Sequence, residues 1–420
     1  MNDNQINDES KSDSYVREFE KYGFGLFIHW GLYSLMETGE WVKKHHQIPH
    51  KQYVELKNEF TAKKFTPEKI VKFAQKSGMN YICLTTRHHD GFSLYDTRGL
   101  SDFDAPHSVA DRDLIAEFAA ACHKMGMPMF FYHTTIDWHV DLFKEDWSGY
   151  LQYLRDSVEI LCQHYGQVDG FWFDGNWEYP EREWEEDKLY GLVRDYFPEA
   201  IIVNNTSTGA LGETGHPEID TLTFEQGQPG PVDRAGQDKY LACEMCETIN
   251  SHWGTARHDY SYKSPQQIIK TLTRCRRYGA NLLLNIGLKA DGSIPQYEKA
   301  SFPLVGRWID KCGQSLYRGQ PVEDLTCRGQ DFILRQGKDY YYYAHDLAID
   351  KNEHLAGVES GEGLKTVAGK LPEVEDITWV DNNENLEFVQ DCNQEMLTFK
   401  ASKNPYGTNY IVRVAKIKTK

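Results

Sequence analysis

The chain has 420 residues, with 46 Lys and Arg against 63 Asp and Glu, a formal net charge of −17. Apolar residues make up 40% and aromatic residues 13%, enough for one large core or two ordinary ones. The acid surplus argues against nucleic acid or an anionic membrane as partner, since both select clustered Lys and Arg. No run approaches the ~18 apolar residues of a membrane span, and the polar start MNDNQINDESKSDS lacks the apolar segment of a secretory signal. A folded, cytoplasmic protein is expected.

Apolar runs recur at residues 24–30 (FGLFIHW), 81–87 (YICLTTR), 128–133 (PMFFYH), 168–174 (VDGFWFD), 200–205 (AIIVNN), 220–225 (DTLTFE), 241–248 (LACEMCET) and 281–287 (NLLLNIG). Each has strand length and is almost continuously hydrophobic, as strands buried on both faces of a parallel sheet are. Helical patterns lie between them. The first, 67–77, has Thr66 as its expected N-cap, Pro67 at the first helical position and Glu68 in the first turn; 111–125, 147–165, 181–196 and 265–278 follow. Eight strands alternating with helices over ~300 residues predict a (β/α)8 barrel. The barrel is irregular, because 206–219 and 226–240 are rich in Gly and Pro and show no helical pattern. After a helix-like segment at 308–316, short alternating runs (FILRQ, YYYYAH, ITWV, LEFV, LTFKA, YIVRVAKI) predict a small C-terminal antiparallel β-sandwich. The expected division is an α/β barrel over 1–321 and a sandwich over 322–420.

The nine cysteines sit mostly in apolar contexts, as buried free thiols do. Cys243 and Cys246 form a CxxC, but no second pair stands at similar spacing to complete a zinc site.

Barrel chemistry belongs at the C-terminal ends of the strands. There the first run ends His29-Trp30 and the second Arg87-His88-His89-Asp90. The third ends Tyr132-His133, with Asp137-Trp138-His139 beyond, and the fourth ends Trp172-Phe173-Asp174. The sixth ends at Glu225, and the seventh carries Glu244 and Glu247. Aromatic faces stack on the C–H faces of a sugar, His, Tyr and carboxylates bind its hydroxyls, and two carboxyl groups can flank a glycosidic bond. Asp174, rigidly placed at a strand end between Trp172 and Gly175, is the best nucleophile candidate.

Taken in order, FGLFIHWGLYS (24–34), Glu40-Trp41, TTRHHDGFSLYDT (85–97), the 132–138 stretch, VDGFWFDG (168–175), NSHWG (250–254) and NLLLNIG (281–287) resemble the α-L-fucosidases of glycoside hydrolase family 29. The resemblance spans about residues 20–315. It implies a retaining exo-enzyme, with a barrel and a C-terminal β-sandwich, that removes terminal α-L-fucose from oligosaccharides or glycoconjugates without metal or cofactor. It matches Asp174 to the nucleophile; His29, Glu40, Trp41, His88, His89 and Tyr132 to positions holding the sugar hydroxyls; and Trp172 and Trp253 to aromatic positions around its methyl group. For the acid/base, Glu225 resembles the family pattern of an Asp, a short strand and the catalytic Glu. Glu244 is second choice, and Glu218 and Glu247 compete. Some relatives carry a sugar-binding Arg just upstream; 204–220 contains none, so His216 or an Asn takes that place. Homo-oligomer formation is left open.

Two other readings compete. A metal-dependent barrel hydrolase would draw on His88, His89, Asp90, His133 and His139. Barrel metal sites, however, place His-x-His on one strand, whereas adjacent His88 and His89 face opposite ways if the strand stays regular. A non-catalytic fucose-binding protein would keep the pocket but has no need of both Asp174 and Glu225.

Overall fold

A computed structural model describes residues 14–231, 239–345, 347 and 363–420. Each of the eight apolar runs contains a strand: β1 (Phe24–His29), β2 (Tyr81–Arg87), β3 (Met129–Thr134), β4 (Gly170–Asp174), β5 (Ile201–Asn204), β6 (Thr221–Thr223), β7 (Ala242–Glu247) and β8 (Asn281–Gly287). All their residues are buried, which explains the unbroken hydrophobicity. The strands pair in parallel in the order β5-β4-β3-β2-β1-β8-β7-β6.

The sheet curls into a nearly closed barrel. At the seam between β5 and β6, Asp220 N–H donates to the Ile202 carbonyl at 2.9 Å, and Ile202 N–H donates to Asp220 Oδ2 at 2.8 Å. The same carboxylate, fully buried, accepts from Arg194 Nη2 at 2.6 Å and, through Oδ1, from Tyr15 Oη and Lys239 Nζ at 2.9 Å each. The barrel interior holds Phe27, Cys83, Phe130, Tyr132, Trp172, Val203 and Leu283. Its N-terminal end is plugged by helix Ser14–Glu20, whose Phe19 ring packs 5.5 Å from Tyr81 and 5.3 Å from Phe130. Cys243 and Cys246, three apart on β7, point to opposite faces and are free, buried thiols.

Helices Pro67–Lys76, Leu114–Met125, Trp147–His164, Glu186–Tyr196 and Pro265–Arg277 fall where expected, with later starts at 114 and 186. Asp113 and Asp146 cap two of them by accepting from Ala116 N–H and Gly149 N–H, and Ser264 forms a capping box with Gln267. Thr66 occupies the N-cap position without capping; its hydroxyl donates to the Lys64 carbonyl instead. The segment expected at 308–316 is the end of a longer helix, Gln296–Cys312, with Pro303 inside it. A mid-helix proline removes a donor and interrupts the pattern by which a helix is read. Residues 206–219 carry no helix; of 226–240, the described parts carry none and 232–238 lie outside the described residues. Among the described residues no helix is long and apolar enough to cross a membrane.

Beyond the barrel come β9 (Gln320–Pro321), β10 (Thr326–Cys327), β11 (Phe332–Gln336), β12 (Asp339–Ala344), β13 (Gly363–Ala368), β14 (Val374–Trp379), β15 (Phe388–Asp391), β16 (Met396–Ala401) and β17 (Arg413–Thr419). They form two antiparallel sheets, β10-β13-β16-β15 and β14-β17-β12-β11-β9. Val367, Leu397 and Phe399 of one sheet share a core with Tyr342, Trp379 and Ile417 of the other, which makes the sandwich. The chain divides into two compact units, Met1–Tyr262 with Asn281–Ala300 and Lys263–Ala280 with Ser301–Lys420. Helix Pro265–Arg277 therefore groups with the sandwich strands, and Gln296–Cys312 runs from one unit into the other.

Candidate active site

β4 delivers Asp174 to the C-terminal rim, and the chain then turns sharply. Gly175 has φ 125°, and a Cβ there would lie 2.8 Å from Thr135 Oγ1 and 3.0 Å from Ile136, so only glycine fits. Three donors converge on the Asp174 carboxylate. Tyr132 Oη donates to Oδ2 at 2.8 Å, while Trp177 Nε1 and Asn205 Nδ2 donate to Oδ1 at 2.8 and 3.2 Å. His89 Nε2 stands 3.5 Å from Oδ2. Burial raises the Tyr132 pKa, so the phenol keeps its proton and remains a donor.

Asn205 Nδ2 also donates to Glu225 Oε2, at 2.8 Å. Asp174 Oδ1 and Glu225 Oε2 share that one nitrogen, so they are separated by no more than about 6 Å, the sum of 3.2 and 2.8. Glu225 follows β6 by two residues. Burial first, and then the Asp174 charge, push its carboxyl up to about 7.

Both acids line a cavity of about 190 Å³, with His29, Trp41, His88, His89, Tyr132, Trp172 and Trp253 around them. The sequence therefore assembles one site from segments more than two hundred residues apart. His29 Nδ1 donates to Asn285 Oδ1 at 2.7 Å, and Asn285 Nδ2 donates to the Trp253 carbonyl at 2.7 Å. Burial holds the His29 pKa down to about 4, so the ring is neutral and its Nε2 is left as an acceptor. Burial lowers His88 and His89 as well. The His88 ring stacks on Tyr132 at 5.6 Å, and Tyr132 on Trp172 at 5.7 Å. Glu40 supports the rim from behind: its Oε2 accepts from Trp253 N–H at 3.0 Å and Gly254 N–H at 2.7 Å, and burial raises its pKa.

The histidines of the second and third strand ends separate into two groups. His88 and His89 do not face opposite ways; β2 ends at Arg87 after a register shift, and both rings reach the pocket with centroids 4.3 Å apart. His133 and His139 do not join them. His133 bonds Thr86 Oγ1 and Ser157 Oγ at 2.8 and 3.0 Å, and His139 stacks on Phe103.

Among the competing acids, Glu244 lies inside the barrel, 1% exposed. It accepts from Trp172 Nε1 at 2.9 Å and Tyr81 Oη at 2.5 Å, and burial pushes it up to about 7. Glu218 pairs with Arg194, and Glu247 accepts from Thr248 N–H. None of the three lines the pocket. His216 pairs with Asp187 at 3.0 Å, away from the pocket, whereas Asn205 enters it. The reading from sequence passed over Trp177, and it weighed the fifth strand end only as an unspecified Asn. Asn205 follows the last residue of β5, so the strand-end rule applied there points straight to it.

A parallel barrel that brings two carboxyl groups together in a one-sugar pocket of indoles, imidazoles and a phenol defines a carbohydrate-active hydrolase. The Alpha-L-fucosidase family profile matches residues 2–314. Tissue alpha-L-fucosidase of Rattus norvegicus is 26% identical over 367 residues, covering 78% of this chain and 75% of the relative. Alpha-L-fucosidase isoenzyme 1 from Paenibacillus thiaminolyticus superimposes with TM-score 0.82 at 28% identity, covering 97% of this chain and 99% of that one. The fold is also shared, at TM-score 0.80, 23% identity and 97% and 96% coverage, with a Bacteroides thetaiotaomicron alpha-L-fucosidase solved as a trapped covalent intermediate in complex with 2-fluoro-fucosyl fluoride. The chain belongs to the alpha-L-fucosidase family and is a glycoside hydrolase.

Proposed function

We propose that this chain is a retaining exo-α-L-fucosidase that releases terminal fucose from oligosaccharides or glycoconjugates, with Asp174 as nucleophile and Glu225 as acid/base. The observation that carries the reading is the Asn205 amide shared by the two acids. It places one oxygen of each carboxyl group within about 6 Å of the other, close enough for the two acids to flank one glycosidic bond as a retaining pair does. The cavity of about 190 Å³ suits a single ring, which favours removal of end residues.

In the first step an Asp174 oxygen bonds to the anomeric carbon as the bond to the leaving oxygen breaks, and Glu225 gives that oxygen its proton. With its pKa at about 7, the carboxyl holds its proton in about half of the molecules at pH 7. Once Asp174 is esterified, the charge that helps to raise Glu225 is gone. Its pKa then falls, and the carboxylate takes a proton from the water that attacks the anomeric carbon. Asp174 leaves as a carboxylate and fucose leaves with its configuration retained. His29, His88, His89 and Trp41 hold the ring hydroxyls, Trp172 and Trp253 enclose the methyl group, and Glu40 holds the Trp253 backbone in place.

NMR of freshly released sugar tests this: α-L-fucose forms first, and β-L-fucose as first product contradicts it. Asp174→Ala is expected to lower kcat/KM on 4-nitrophenyl α-L-fucoside by at least ~10³-fold with the fold intact.

A further inference from the structure

Beside the sugar pocket a second, wider cleft of about 660 Å³ opens between the loop that follows Asp174 and the loop that follows β5. The two hollows share Trp177, Asn205 and Ser207, so one is continuous with the other at the edge where Asn205 meets Glu225. A group leaving from Glu225 has this cleft next to it.

The cleft is built to take hydrogen-bond donors. Asn176 and Asn204 both line it, and their side-chain amides turn their NH2 groups to Glu186 Oε1, at 2.7 and 3.2 Å. Asn204 also donates to Tyr190 Oη at 2.7 Å. The oxygen of each amide is buried in the wall without a protein partner, so these two side chains shape the cleft rather than meet a ligand. The acceptors that the cleft presents to a ligand are the exposed carboxylates of Glu183 and Asp187, which receive hydroxyl or amide N–H groups.

Its charge is one-sided. Glu183, Glu186 and Asp187 line the cleft. Glu185 is neutralised by Arg155 and Lys188, and Asp187 has only His216. Arg182 also lines it and keeps its charge, with its guanidinium turned to the Phe143 carbonyl and over the Trp147 ring at 4.4 Å. An anionic leaving group would meet net repulsion, because the lining carboxylates outnumber Arg182.

We infer that this cleft is the leaving-group subsite and that it takes an uncharged sugar while disfavouring sulfated, sialylated or phosphorylated ones. The inference rests on the fucosidase reading above.

Gly209 and Gly215 line the cleft and not the sugar pocket. A Cβ at either meets no heavy atom closer than 3.9 Å, so a side chain can leave the backbone there without a clash, and Gly209→Trp and Gly215→Trp place an indole in the cleft. The probes are 4-nitrophenyl α-L-fucoside and the best-cleaved member of a panel of neutral fucosylated trisaccharides of different linkage. Both variants are expected to lose at least ~10-fold more kcat/KM on the trisaccharide than on the aryl fucoside, whose small nitrophenyl group needs only the mouth of the cleft, and to lose it mainly in KM. In Glu183→Lys/Asp187→Lys, the preference for the neutral trisaccharide over its sulfated counterpart is expected to shrink by ~10-fold. Unchanged trisaccharide turnover in both Trp variants overturns the inference, as does failure of the wild type to cleave any panel member while hydrolysing the aryl fucoside. Failure on the aryl fucoside itself counts against the parent reading instead.

Discussion

Asn205 divides one amide between two acids, and its removal separates their roles. It donates to the ionised form of Glu225 and so restrains the rise in that carboxyl's pKa. In Asn205→Ala the restraint is lost. The alkaline limb of the kcat/KM profile, expected near pH 7 in the wild type because the acid must be protonated, should then move to higher pH. A limb that stays in place or moves down would contradict Glu225 as the acid. Azide distinguishes the two carboxyl groups by stereochemistry. In Glu225→Ala, azide attacks the fucosyl-enzyme and yields α-fucosyl azide, whereas in Asp174→Ala it attacks substrate directly and yields β-fucosyl azide. The same product from both variants would void the assignment. At this scale Trp41 and Trp253 were reached only through the family resemblance, whereas Asp174, the histidines and Trp172 were legible because each ends or follows an apolar run. Trp177 was not, because it belongs to a short helical turn after Gly175 whose direction no sequence pattern shows.

Asp220 carries the closure of the barrel, since β5 and β6 share no ladder. Its carboxylate holds Arg194, Lys239, Tyr15 and the Ile202 amide together at the seam. Asp220→Ala is expected to cost about 3 kcal/mol, the low end for an orphaned buried pair because Arg194 and Lys239 keep some access to water. A lower urea midpoint checks this; an unchanged midpoint refutes it. The eight barrel strands could be read because burial on both faces leaves an uninterrupted apolar signal. β13 could not. Along it Leu364 is exposed while Lys365 is buried against Asp331, at 2.8 Å, so the alternation is inverted. Helix Ser14–Glu20 was missed because only Val16 and Phe19 mark its buried face.

At the scale of the molecule, buried acids tie stability to pH. Glu244 ionises near 4.5 when unfolded and near 7 when folded. Below about pH 4.5 both states hold the proton, through the interval only the unfolded chain releases it, and above 7 the full cost of burying the charge is present. That cost, about 3 kcal/mol, is absent from Glu244→Gln. The variant's thermal midpoint relative to wild type should therefore rise between pH 5 and pH 8. The variant should also stay active, since Glu244 does not line the pocket. A flat difference would show that the folded chain does not hold this proton. The collinear order of the motifs made the family legible. The interleaving of the two compact units was not, because it depends on contacts between segments far apart in the chain.

The central claim is that an Asp174 oxygen becomes bonded to the anomeric carbon. Incubation with 2-fluoro-fucosyl fluoride followed by peptide mass spectrometry tests it most directly. One fluorofucosyl group is predicted on the peptide that carries Asp174, and none on the Asp174→Ala chain. A label on the Glu225 peptide, or no adduct in an enzyme that turns over an aryl fucoside and is inactivated by the reagent, would contradict it.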